Sequence, residues 1–300
     1  MKTANCLVTG AAGFIGSILV DELLKNGCKV IAIDNESANN EKFYWNSKAE
    51  NYKISILDYK LILPLFENID FVFHLGAESR IVNAIQKPTE AYSINIIGTH
   101  NILLASCIHK VKRIVFSSTS SIYGLNPPPN SEIDNDDCLN PYSISKLAAE
   151  KICKFFINTH KMPITILRYF NVFGERSPSN GFYAPVTSIF LKQKKENQPL
   201  TVVGDGENRR DFVHVKDVVK ANLDFCFNQQ KNSFNDIFNV GSSSNISIIN
   251  LAKLISNNIK FIQAREGEAK TTLANINKIK STIGWLPSLS VEEWIKQKNN

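Results

Sequence analysis

The chain has 300 residues, of which 43% are hydrophobic and 21% are charged, and its formal net charge is +6. This is an ordinary globular composition, and the length suffices for one large domain or for a main domain with a smaller one. The basic residues are dispersed rather than collected in a stripe with aromatic residues, which argues against a nucleic-acid-binding protein and suits an anionic small-molecule ligand.

The sequence does not predict a secreted or membrane protein. The first strand-like run begins at Asn5, which leaves no room for a signal peptide, and no apolar run approaches the roughly 20 residues that span a bilayer. The six cysteines are scattered, with no Cys-x-x-Cys pair and no neighbouring histidine cluster, so we predict buried thiols and no structural metal. We therefore expect a cytoplasmic protein without a metal ion.

The first half of the chain alternates short β-branched runs with longer helical patterns. In chain order, the predicted elements are a strand over Cys6–Val8, a helix over Phe14–Asn26, strands over Val30–Asp34, Lys53–Ile56 and Phe71–Leu75, a helix from about Ala91 to Cys107, a strand over Arg113–Ser117, a helix from about Tyr142 to His160 and a strand over Ile164–Tyr169. Such alternation predicts an α/β fold with a doubly wound parallel sheet, whose ligands bind at the carboxyl ends of the strands.

After Gly174 the pattern is less regular. It predicts a helix over Ala184–Lys195, a short strand ending in a turn over Leu200–Asp205, a strand and a helix over Phe212–Phe227, and two helical stretches after Ile246. We interpret this region as a smaller α/β lobe interleaved with the end of the first domain. The predicted boundaries are 1–174 plus about 212–245 for the first domain, and about 175–211 plus 246–300 for the smaller lobe.

Three glycines follow the first predicted strand in the segment Val8-Thr9-Gly10-Ala11-Ala12-Gly13-Phe14-Ile15-Gly16. Gly10 would allow a tight turn, Gly13 a close approach of the backbone to a pyrophosphate, and Gly16 close packing of the new helix on the sheet. The N-terminus of that helix would offer unpaired N–H groups to the phosphates. The spacing differs from the commoner G-x-G-x-x-G, but the strand before it and the helix after it favour a dinucleotide loop over a simple tight turn.

Asp34 ends the next predicted strand, 18 residues after Gly16. A carboxylate at this place accepts hydrogen bonds from an adenosine ribose and repels a 2′-phosphate. No arginine follows Asp34 closely in the sequence. The cofactor predicted from these residues is therefore NAD rather than NADP.

Tyr142 and Lys146 are one helical turn apart in Tyr142-Ser143-Ile144-Ser145-Lys146. A tyrosine that accepts protons near neutral pH must have its pKa lowered from about 10. A lysine one turn away and a positively charged nicotinamide both stabilise the phenolate. By itself the pair is a weak signal, but a dinucleotide loop and the hydroxyl-rich strand before Gly124 favour a catalytic pair.

Together these motifs resemble the extended short-chain dehydrogenase/reductases, and among them the sugar-nucleotide epimerases. The resemblance extends nearly from end to end, and it implies a Rossmann-type NAD domain with a smaller lobe for a UDP-sugar. It rests on the glycine loop, His74-Leu75-Gly76-Ala77, Asn95-Ile96-Ile97-Gly98-Thr99, Phe116-Ser117-Ser118-Thr119-Ser120-Ser121-Ile122-Tyr123-Gly124, the Tyr142/Lys146 pair, Arg168-Tyr169-Phe170-Asn171-Val172-Phe173-Gly174 and Arg210-Asp211-Phe212-Val213-His214-Val215.

The resemblance implies a role for each matching residue. Thr119 would be the catalytic hydroxyl, Tyr142 the base, and Lys146 the group that tunes the base and binds a cofactor ribose. The implied cofactor-binding residues are Gly10, Gly13, Phe14, Ile15, Gly16, Asp34, Asn35, Ser55, Ile56, Leu75, Gly76, Ala77, Asn95, Ser117, Tyr142, Lys146 and Tyr169. The implied substrate-binding residues are Ser79, Thr119, Asn171, Thr201, Val202, Val203, Arg210, Arg265, Glu268 and Thr272.

In the predicted second lobe these residues would bind a nucleoside diphosphate. Asn171, Arg210 and Arg265 match positions that hold the diphosphate, where guanidinium groups suit phosphate oxygens. Glu268 matches a carboxylate that binds the ribose of the nucleotide, and Thr201–Val203 would flank the uracil.

Two departures from the family pattern bear on function. Members usually carry an aspartate near the end of the third strand to bind adenine, and Ser55 occupies that position here. Sugar-nucleotide dehydratases of the family carry Asp-Glu directly after the catalytic threonine, and related decarboxylases keep a glutamate, whereas this chain has Ser120 and Ser121. The chain thus lacks the acid–base pair for elimination, which favours epimerisation.

The favoured hypothesis is NAD-dependent 4-epimerisation of a UDP-hexose through a 4-keto intermediate. Thr272 matches a position where a small residue admits an N-acetyl group, so the expected substrates include UDP-GlcNAc/UDP-GalNAc beside UDP-Glc/UDP-Gal. The alternatives are another NAD(P)-dependent sugar-nucleotide oxidoreductase, such as a 4-keto reductase or a dehydratase, and a non-catalytic dinucleotide sensor. The family also implies a homodimer formed through the helices at about 91–107 and 142–160.

Overall fold

The computed structural model describes residues 4–38, 42–179, 184–227, 235–263 and 269–299. The strands in these ranges are β1 (Asn5–Thr9), β2 (Lys29–Asp34), β3 (Glu50–Lys53), β4 (Phe71–His74), β5 (Arg113–Thr119), β6 (Ile164–Tyr169), β7 (Asn171–Phe173), β8 (Leu200–Val203), β9 (Arg209–His214), β10 (Ile237–Val240), β11 (Asn245–Ser247) and β12 (Ile259–Ile262). The α-helices are α1 (Phe14–Lys25), α2 (Tyr59–Ile62), α3 (Ile81–Gln86), α4 (Pro88–Tyr92), α5 (Thr99–Ile108), α6 (Pro141–His160), α7 (Val186–Lys195), α8 (Val215–Phe227), α9 (Ile248–Ile255), α10 (Asn277–Ile283) and α11 (Val291–Asn299). Leu63–Phe66 and Ser120–Tyr123 are 3₁₀-helical, and Ser93–Gly98 is π-helical.

Seven strands form one sheet in the order β10-β6-β5-β4-β1-β2-β3. Parallel pairing aligns Val8 of β1 with Ala32 of β2, and Thr9 of β1 with His74 of β4. The strand order reverses between β1 and β4, and in open parallel sheets this reversal marks the crevice where ligands bind. The predicted α/β, doubly wound parallel sheet is confirmed.

The chain divides into two compact units. The first comprises Met1–Ser118, Asn140–Leu167 and Val219–Ile237, and the second comprises Thr119–Leu139, Arg168–Val218 and Phe238–Asn300. In the first unit, Leu7, Val72, Ile102, Ile114 and Phe116 belong to one buried apolar core between the sheet and its helices.

The second unit has its own core and two small sheets. Phe173, Phe190, Leu200, Leu251 and Trp294 pack together in that core. One small sheet has the order β11-β9-β7, and the other pairs β12 with β8 in parallel. The predicted division into a cofactor-binding domain and a substrate-binding lobe concerns ligands, and it stays a prediction.

Helix α6 carries the predicted Tyr/Lys pair, and local sequence determines where it begins. The side chain of Asn140 accepts a hydrogen bond from Ser143 N (3.0 Å), and Ser143 Oγ accepts one from Asn140 N (3.3 Å). This reciprocal cap satisfies two N–H groups, and Pro141 supplies a fixed φ at the first helical position. The helix ends before Lys161, whose φ of +55° is left-handed.

Several predicted boundaries need correction. The third strand is Glu50–Lys53 rather than Lys53–Ile56, because Ser55 forms a turn in which its carbonyl accepts a hydrogen bond from Asp58 N (3.0 Å). In the described part of the region after Ile246 there are three helices rather than two, together with strand β12.

One helical run also departs from the expectation about apolar segments. Within the residues that the structure describes, Pro88–Ile108 is long and apolar enough to cross a membrane by length and composition alone. It comprises α4, the π-helical segment and α5, and half of its most apolar stretch is buried. Ile102 and Leu103 of this run are fully buried in the core of the first unit, as in a helix that packs on a sheet.

Candidate functional site

The glycine loop has the geometry that close packing of its backbone requires. Gly10 has a left-handed φ of +67°, and a Cβ on Gly10 would lie 2.9 Å from the backbone nitrogen of Gly76. A Cβ on Gly16 would lie 2.0 Å from the carbonyl oxygen of Gly10, closer than any side chain can approach. Gly13 differs, because its nearest neighbour would be Gly10 O at 3.4 Å. The protein itself therefore leaves room at Gly13, which fits a bound pyrophosphate there.

Asp34 ends β2 beside this loop. Its Oδ2 accepts a hydrogen bond from Ala12 N (3.1 Å), and its Oδ1 accepts one from Glu36 N (2.7 Å). Burial raises the pKa of Asp34, and these N–H donors act in the opposite direction. The carboxylate is thus held at the end of the strand, in the place expected for a ribose ligand.

In the structure, Arg80 contacts the loop after Asp34, although it is distant from Asp34 in the sequence. Arg80 Nη1 donates to the carbonyl of Ala38 (3.1 Å). Arg80 Nε also donates to Oε1 of Glu78 (2.8 Å), and the carboxyl side chain of Glu78 is almost fully buried. Because Glu78 neutralises this guanidinium, Arg80 offers no free charge for a 2′-phosphate.

A neutral histidine connects the end of β4 to the glycine-loop strand. His74 Nδ1 lies 2.7 Å from Thr9 Oγ1, and His74 Nε2 lies 3.0 Å from Thr99 Oγ1. Thr9 Oγ1 also accepts a hydrogen bond from Gly76 N (3.0 Å). Burial lowers the pKa of His74 to about 3, and the charge of Lys146 contributes to this shift. These bonds fix the predicted cofactor segment Leu75–Ala77 next to β1.

Asn95 lies in the π-helical segment, a kind of irregularity that is frequent at functional sites. Its Oδ1 accepts from Glu78 N (2.8 Å), and its Nδ2 donates to Glu78 O (2.9 Å) and to Ser145 Oγ (2.8 Å). Ser145 Oγ in turn donates to the carbonyl of Tyr142 (2.7 Å). Asn95 therefore ties the segment after β4, where Ser79 is exposed, to the first turns of α6.

Lys146 is buried on α6, one turn after the half-buried Tyr142. Only 4% of Lys146 is exposed, and its Nζ lies 4.2 Å from the ring centroid of Phe116. Burial lowers the pKa of Lys146 to about 8. An ammonium group with so little water around it acts strongly on neighbouring charges, including the phenolate of a tyrosine one turn away. Ser117, beside Phe116 on β5, is also buried.

The other predicted cofactor residues of the first unit lie at strand ends or helix starts. Phe14 and Ile15 begin α1, and Asn35 follows β2, where its Oδ1 accepts a hydrogen bond from Ser37 N (3.2 Å). Ser55 and Ile56 follow β3, and Ser55 Oγ accepts from Leu57 N (3.2 Å). The carbonyl of Ile56 accepts from Asn101 Nδ2 (3.0 Å).

Thr119 is the last residue of β5 and belongs to the second unit. Its hydroxyl oxygen accepts a hydrogen bond from Ser121 N (3.1 Å) and so caps the 3₁₀ turn Ser120–Tyr123. Both residues after Thr119 are serines, so no carboxylate occupies these two positions. Tyr169, at the end of β6, is 8% exposed.

Asn171, Asp211 and Thr272 form a hydrogen-bonded group in the second unit. Asn171 Nδ2 donates to the carbonyl of Asp211 (2.8 Å) and to Thr272 Oγ1 (3.2 Å), which also accepts from Asp211 N (3.1 Å). An amide nitrogen carries two hydrogens, and both have acceptors here. A direct contact between Asn171 Nδ2 and a diphosphate would require one of these bonds to open.

The carboxylate of Asp211 organises the backbone around this group. It accepts hydrogen bonds from Ala274 N (2.9 Å), Ser242 N (2.6 Å), Ser242 Oγ (2.8 Å) and Ser243 N (3.1 Å). Burial raises the pKa of Asp211, and the donors counteract that effect. Asp211 belongs to one of the sequence motifs, but no role was predicted for it.

The remaining predicted substrate residues fall into three groups. Arg210 is half-buried on β9, and its Nη1 donates to the carbonyls of Arg209 and Lys270 (both 3.1 Å). Thr201, Val202 and Val203 lie on β8, and Thr201 Oγ1 accepts from Gln193 Nε2 (2.9 Å). Arg265 and Glu268 lie outside the described residues.

A cavity of about 250 Å³ opens in the second unit. Arg210 lines one wall, residues of the β10–β11 region line another, and the segment from Pro287 to Glu293 forms the rest. Among the described substrate-binding residues that were predicted, Arg210 lines this cavity, whereas Asn171, Thr201 and Thr272 do not, so the cavity shares only Arg210 with that part of the predicted site.

All six cysteines lie in the described residues, and none of them forms a disulfide. Cys6, Cys28, Cys153 and Cys226 are buried as predicted, whereas Cys107 and Cys138 are half-buried. Within the described ranges, no group of three or more His, Cys, Asp or Glu side chains could hold a metal ion.

Sequence reasoning missed three polar residues that support the predicted site. Glu78 and Ser145 bind Asn95, and Glu150 lies one turn beyond Lys146 on α6. The i, i+4 spacing of Lys146 and Glu150 could have revealed the last of these. Nothing local in the sequence marks the contact between Asn95 and Glu78.

Comparisons with known proteins show the family to which this chain is similar. Residues 6–241 match the model of the NAD dependent epimerase/dehydratase family. A putative UDP-glucose 4-epimerase from Methanocaldococcus jannaschii is 36% identical over 98% of this chain and 97% of its own length. A UDP-N-acetyl-alpha-D-glucosaminuronate decarboxylase from Bacillus cytotoxicus is 33% identical over 98% and 96%. The crystal structure of a UDP-glucose 4-epimerase from Thermotoga maritima with UDP-glucose has 34% identity and a TM-score of 0.92, and covers 97% of this chain and 96% of its own.

Proposed function

Because this chain belongs to the NAD dependent epimerase/dehydratase family, we propose that it interconverts the C4 epimers of a UDP-hexose. Its relatives include 4-epimerases and a decarboxylase, so family membership establishes an NAD-dependent enzyme of UDP-sugars and leaves the reaction to be argued from the residues. We assign NAD to the first unit and the UDP-sugar to the second.

The observation that carries this proposal is the buried ammonium of Lys146 one turn from Tyr142. In the proposed reaction, the phenolate of Tyr142 accepts the proton of the C4 hydroxyl, and the Thr119 hydroxyl binds the same oxygen. Lys146 stabilises the phenolate, because a positive charge in a buried site favours the ionised form of its neighbour. When bound, NAD supplies a reversible hydride acceptor at C4.

The residues that we assign to NAD binding are those whose geometry fits the cofactor. Gly13 at the start of α1 leaves room for a pyrophosphate, to which the N–H groups of the helix N-terminus would donate, and the backbone packing at Gly10 and Gly16 holds this turn in place. Asp34 would bind the adenosine ribose, and the neutralised Arg80 adds no attraction for a 2′-phosphate.

Epimerisation needs the sugar to be released and rebound with its other face toward the cofactor, while the nucleotide stays in place. This requires strong contacts to the diphosphate and weak ones to the hexose, and the predicted clamp of Arg210 and Arg265 supplies the former. Elimination would need an acid–base pair beside the sugar, and Ser120 and Ser121 do not provide carboxyl groups. These serines favour epimerisation over dehydration and over the chemistry of the decarboxylase relative.

Thr272 favours a pocket that accepts N-acetylated sugars. Its side chain is small, and its hydroxyl is turned to Asn171 and to the backbone of Asp211. We therefore propose UDP-GlcNAc and UDP-GalNAc as substrates beside UDP-Glc and UDP-Gal.

We also propose a homodimer in the cytoplasm. Two helical segments carry large apolar residues that each expose between 45% and 54% of their surface. They are Ile97 and Ile108 in the run Pro88–Ile108, and Ile144 and Phe155 in α6. Burial of these side chains against a second copy would remove a cost of exposed apolar surface. Sedimentation velocity of the purified protein tests this, and a monomer at micromolar concentration would contradict it.

A proton NMR time course tests the proposed reaction. Purified protein receives UDP-Glc or UDP-GlcNAc in separate tubes, first without and then with added NAD, and Tyr142→Phe serves as the control. We expect the galacto anomeric signal in both tubes without net production of NADH. Conversion of UDP-Glc alone would contradict the assignment of N-acetylated substrates. No conversion in either tube after NAD addition would refute the epimerase, and net NADH formation would favour an oxidoreductase instead.

A further inference from the structure

A buried carboxylate lies one helical turn beyond Lys146. Glu150 is completely buried on α6, four residues after Lys146, and side chains at this spacing lie on the same face of a helix. The hydroxyl of Ser118, from β5, donates a 2.6 Å hydrogen bond to Oε1 of Glu150. A buried carboxylate is costly unless it is hydrogen-bonded and paired with a positive charge. Ser118 supplies the hydrogen bond, and Lys146 supplies a positive charge.

The other groups that act on Lys146 are uncharged near neutral pH. Burial lowers the pKa of His74 to about 3, so its imidazole is neutral. Burial raises the pKa of the Cys153 thiol, which is therefore protonated. Phe116 contributes the face of an aromatic ring from β5. Burial lowers the pKa of Lys146, and the groups that act against this shift are Cys153 and Glu150. Because the Cys153 thiol is protonated, Glu150 is the one of these two whose charge opposes the effect of burial near neutral pH.

We propose that Glu150, held by Ser118, is a positioning residue that keeps Lys146 in its ammonium form next to Tyr142. The π-helical segment that also packs on α6 contributes the neutral amide of Asn95, which orients Ser145 and adds no charge. Glu150 does not touch the substrate in this assignment. It acts through Lys146, and the inference rests on the proposed role of Tyr142 as the base.

The sign of the expected effect follows from the charges. Without the negative charge of Glu150, desolvation of Lys146 is no longer opposed, and its pKa falls below the value of about 8. Lys146 is then largely neutral at pH 8, and Tyr142 loses the positive charge that stabilises its phenolate. The midpoint of the Tyr142 titration therefore rises, by about one pH unit or more, which is the usual effect of a nearby opposite charge.

The test is a pH titration of the phenolate absorbance of the NAD-loaded protein in the near ultraviolet. Subtracting the titration of Tyr142→Phe isolates the signal of Tyr142. Glu150→Gln removes the charge and keeps an acceptor for Ser118, while Glu150→Asp retains the charge. Ser106→Ala is the matched control, because Ser106 is a buried hydroxyl that bonds the carbonyl of Ile102 (2.7 Å) in its own helix.

We expect Glu150→Gln to raise the Tyr142 midpoint by about one pH unit or more. Glu150→Asp should raise it less, and Ser106→Ala should leave it unchanged. A wild-type midpoint in Glu150→Gln would overturn the inference. If that variant does not fold, Ser118→Ala decides, because loss of the hydroxyl removes the hydrogen bond that holds the carboxylate of Glu150 in place, weakens its action on Lys146 and raises the midpoint in the same direction. An unchanged midpoint in Ser118→Ala would then overturn it.

The titration needs NAD and no sugar nucleotide. A shifted midpoint in a protein that fails to convert any UDP-hexose would retain the role of Glu150 and reject the proposed reaction. An unshifted midpoint in an active epimerase would do the reverse.

Discussion

Alanine substitution can separate the packing role of Gly16 in the glycine loop from the cofactor-binding role predicted for Gly13. At Gly16 a Cβ would lie 2.0 Å from Gly10 O, and this backbone atom cannot move without displacing the turn after β1. At Gly13 the closest approach is 3.4 Å, and the backbone has φ −77° and ψ −174°, which alanine adopts without strain. The two substitutions add the same methyl group three residues apart, so they form a matched pair.

We expect Gly16→Ala to reduce the stability of the protein and Gly13→Ala to reduce its affinity for NAD. Gly16→Ala should lower the free energy of unfolding of the apo-protein by about 1–3 kcal/mol or more, the usual cost of overpacking. Gly13→Ala should change that free energy by less than about 1 kcal/mol. Alanine lowers the conformational entropy of the unfolded chain, which stabilises the fold slightly, and this opposes the small loss of stability from replacing glycine at the N-cap. It should still weaken NAD binding at least about tenfold, or about 1.4 kcal/mol, since the methyl group occupies the approach of the pyrophosphate.

Urea denaturation of the apo-proteins gives the stabilities, and calorimetric titration with NAD gives the affinities. Wild-type NAD affinity in Gly13→Ala would refute the reasoning, because the backbone at Gly13 would then not face the cofactor. Wild-type stability in Gly16→Ala would show that α1 can move away from the turn, contrary to the packing that the structure shows.

Three further predictions concern single side chains. Burial lowers the pKa of Lys146 from 10.5 to about 8, so between these pH values the unfolded chain holds more protons than the folded one, and the free energy of unfolding rises with pH by about 3 kcal/mol. Lys146→Met should abolish this rise in urea denaturation at several pH values, and an unchanged rise in that variant would contradict the prediction. Asp211→Asn should lower the free energy of unfolding by about 2–3 kcal/mol, because an amide group would face N–H donors such as Ala274 N; an unchanged urea midpoint would show that these bonds contribute nothing. Thr272→Tyr should stop conversion of UDP-GlcNAc and spare that of UDP-Glc, with Thr272→Ser as the control; continued conversion of UDP-GlcNAc, followed by NMR, would reject the size argument.

The alternation of strands and helices could be predicted because it depends on local periodicity. Burial on both faces of the central strands gives continuous apolar runs such as Ile114–Phe116, and α6 begins at a polar cap followed by proline. The third strand was misplaced because tertiary pairing with β2 selects Glu50–Lys53, a polar and largely exposed edge. An edge strand of this kind lacks the apolar pattern by which the others were found.

The candidate site could be predicted only in part, for a related reason. Motifs showed which residues occur at strand ends, because that position follows from the strand pattern itself. They could not show that Asn95 bonds Glu78, which lies 17 residues away, nor that Arg80 reaches Ala38 across 42 residues. Such contacts depend on how two loops meet in space. The two hydrogen bonds that occupy the amide nitrogen of Asn171 were hidden for the same reason.

The burial of Lys146 connects stability to chemistry in this fold. A lysine at an exposed position would keep its ordinary pKa and would act weakly on Tyr142, because water screens the interaction. Burial against Phe116 removes that screening. It also disfavours the ammonium form, and this lowers the pKa of Lys146 to about 8. A site that needs a desolvated cation therefore also needs a compensating anion, and Glu150 is placed one turn away to supply it. On this reasoning the stability of the protein and the ionisation of Tyr142 must both respond to the same two side chains.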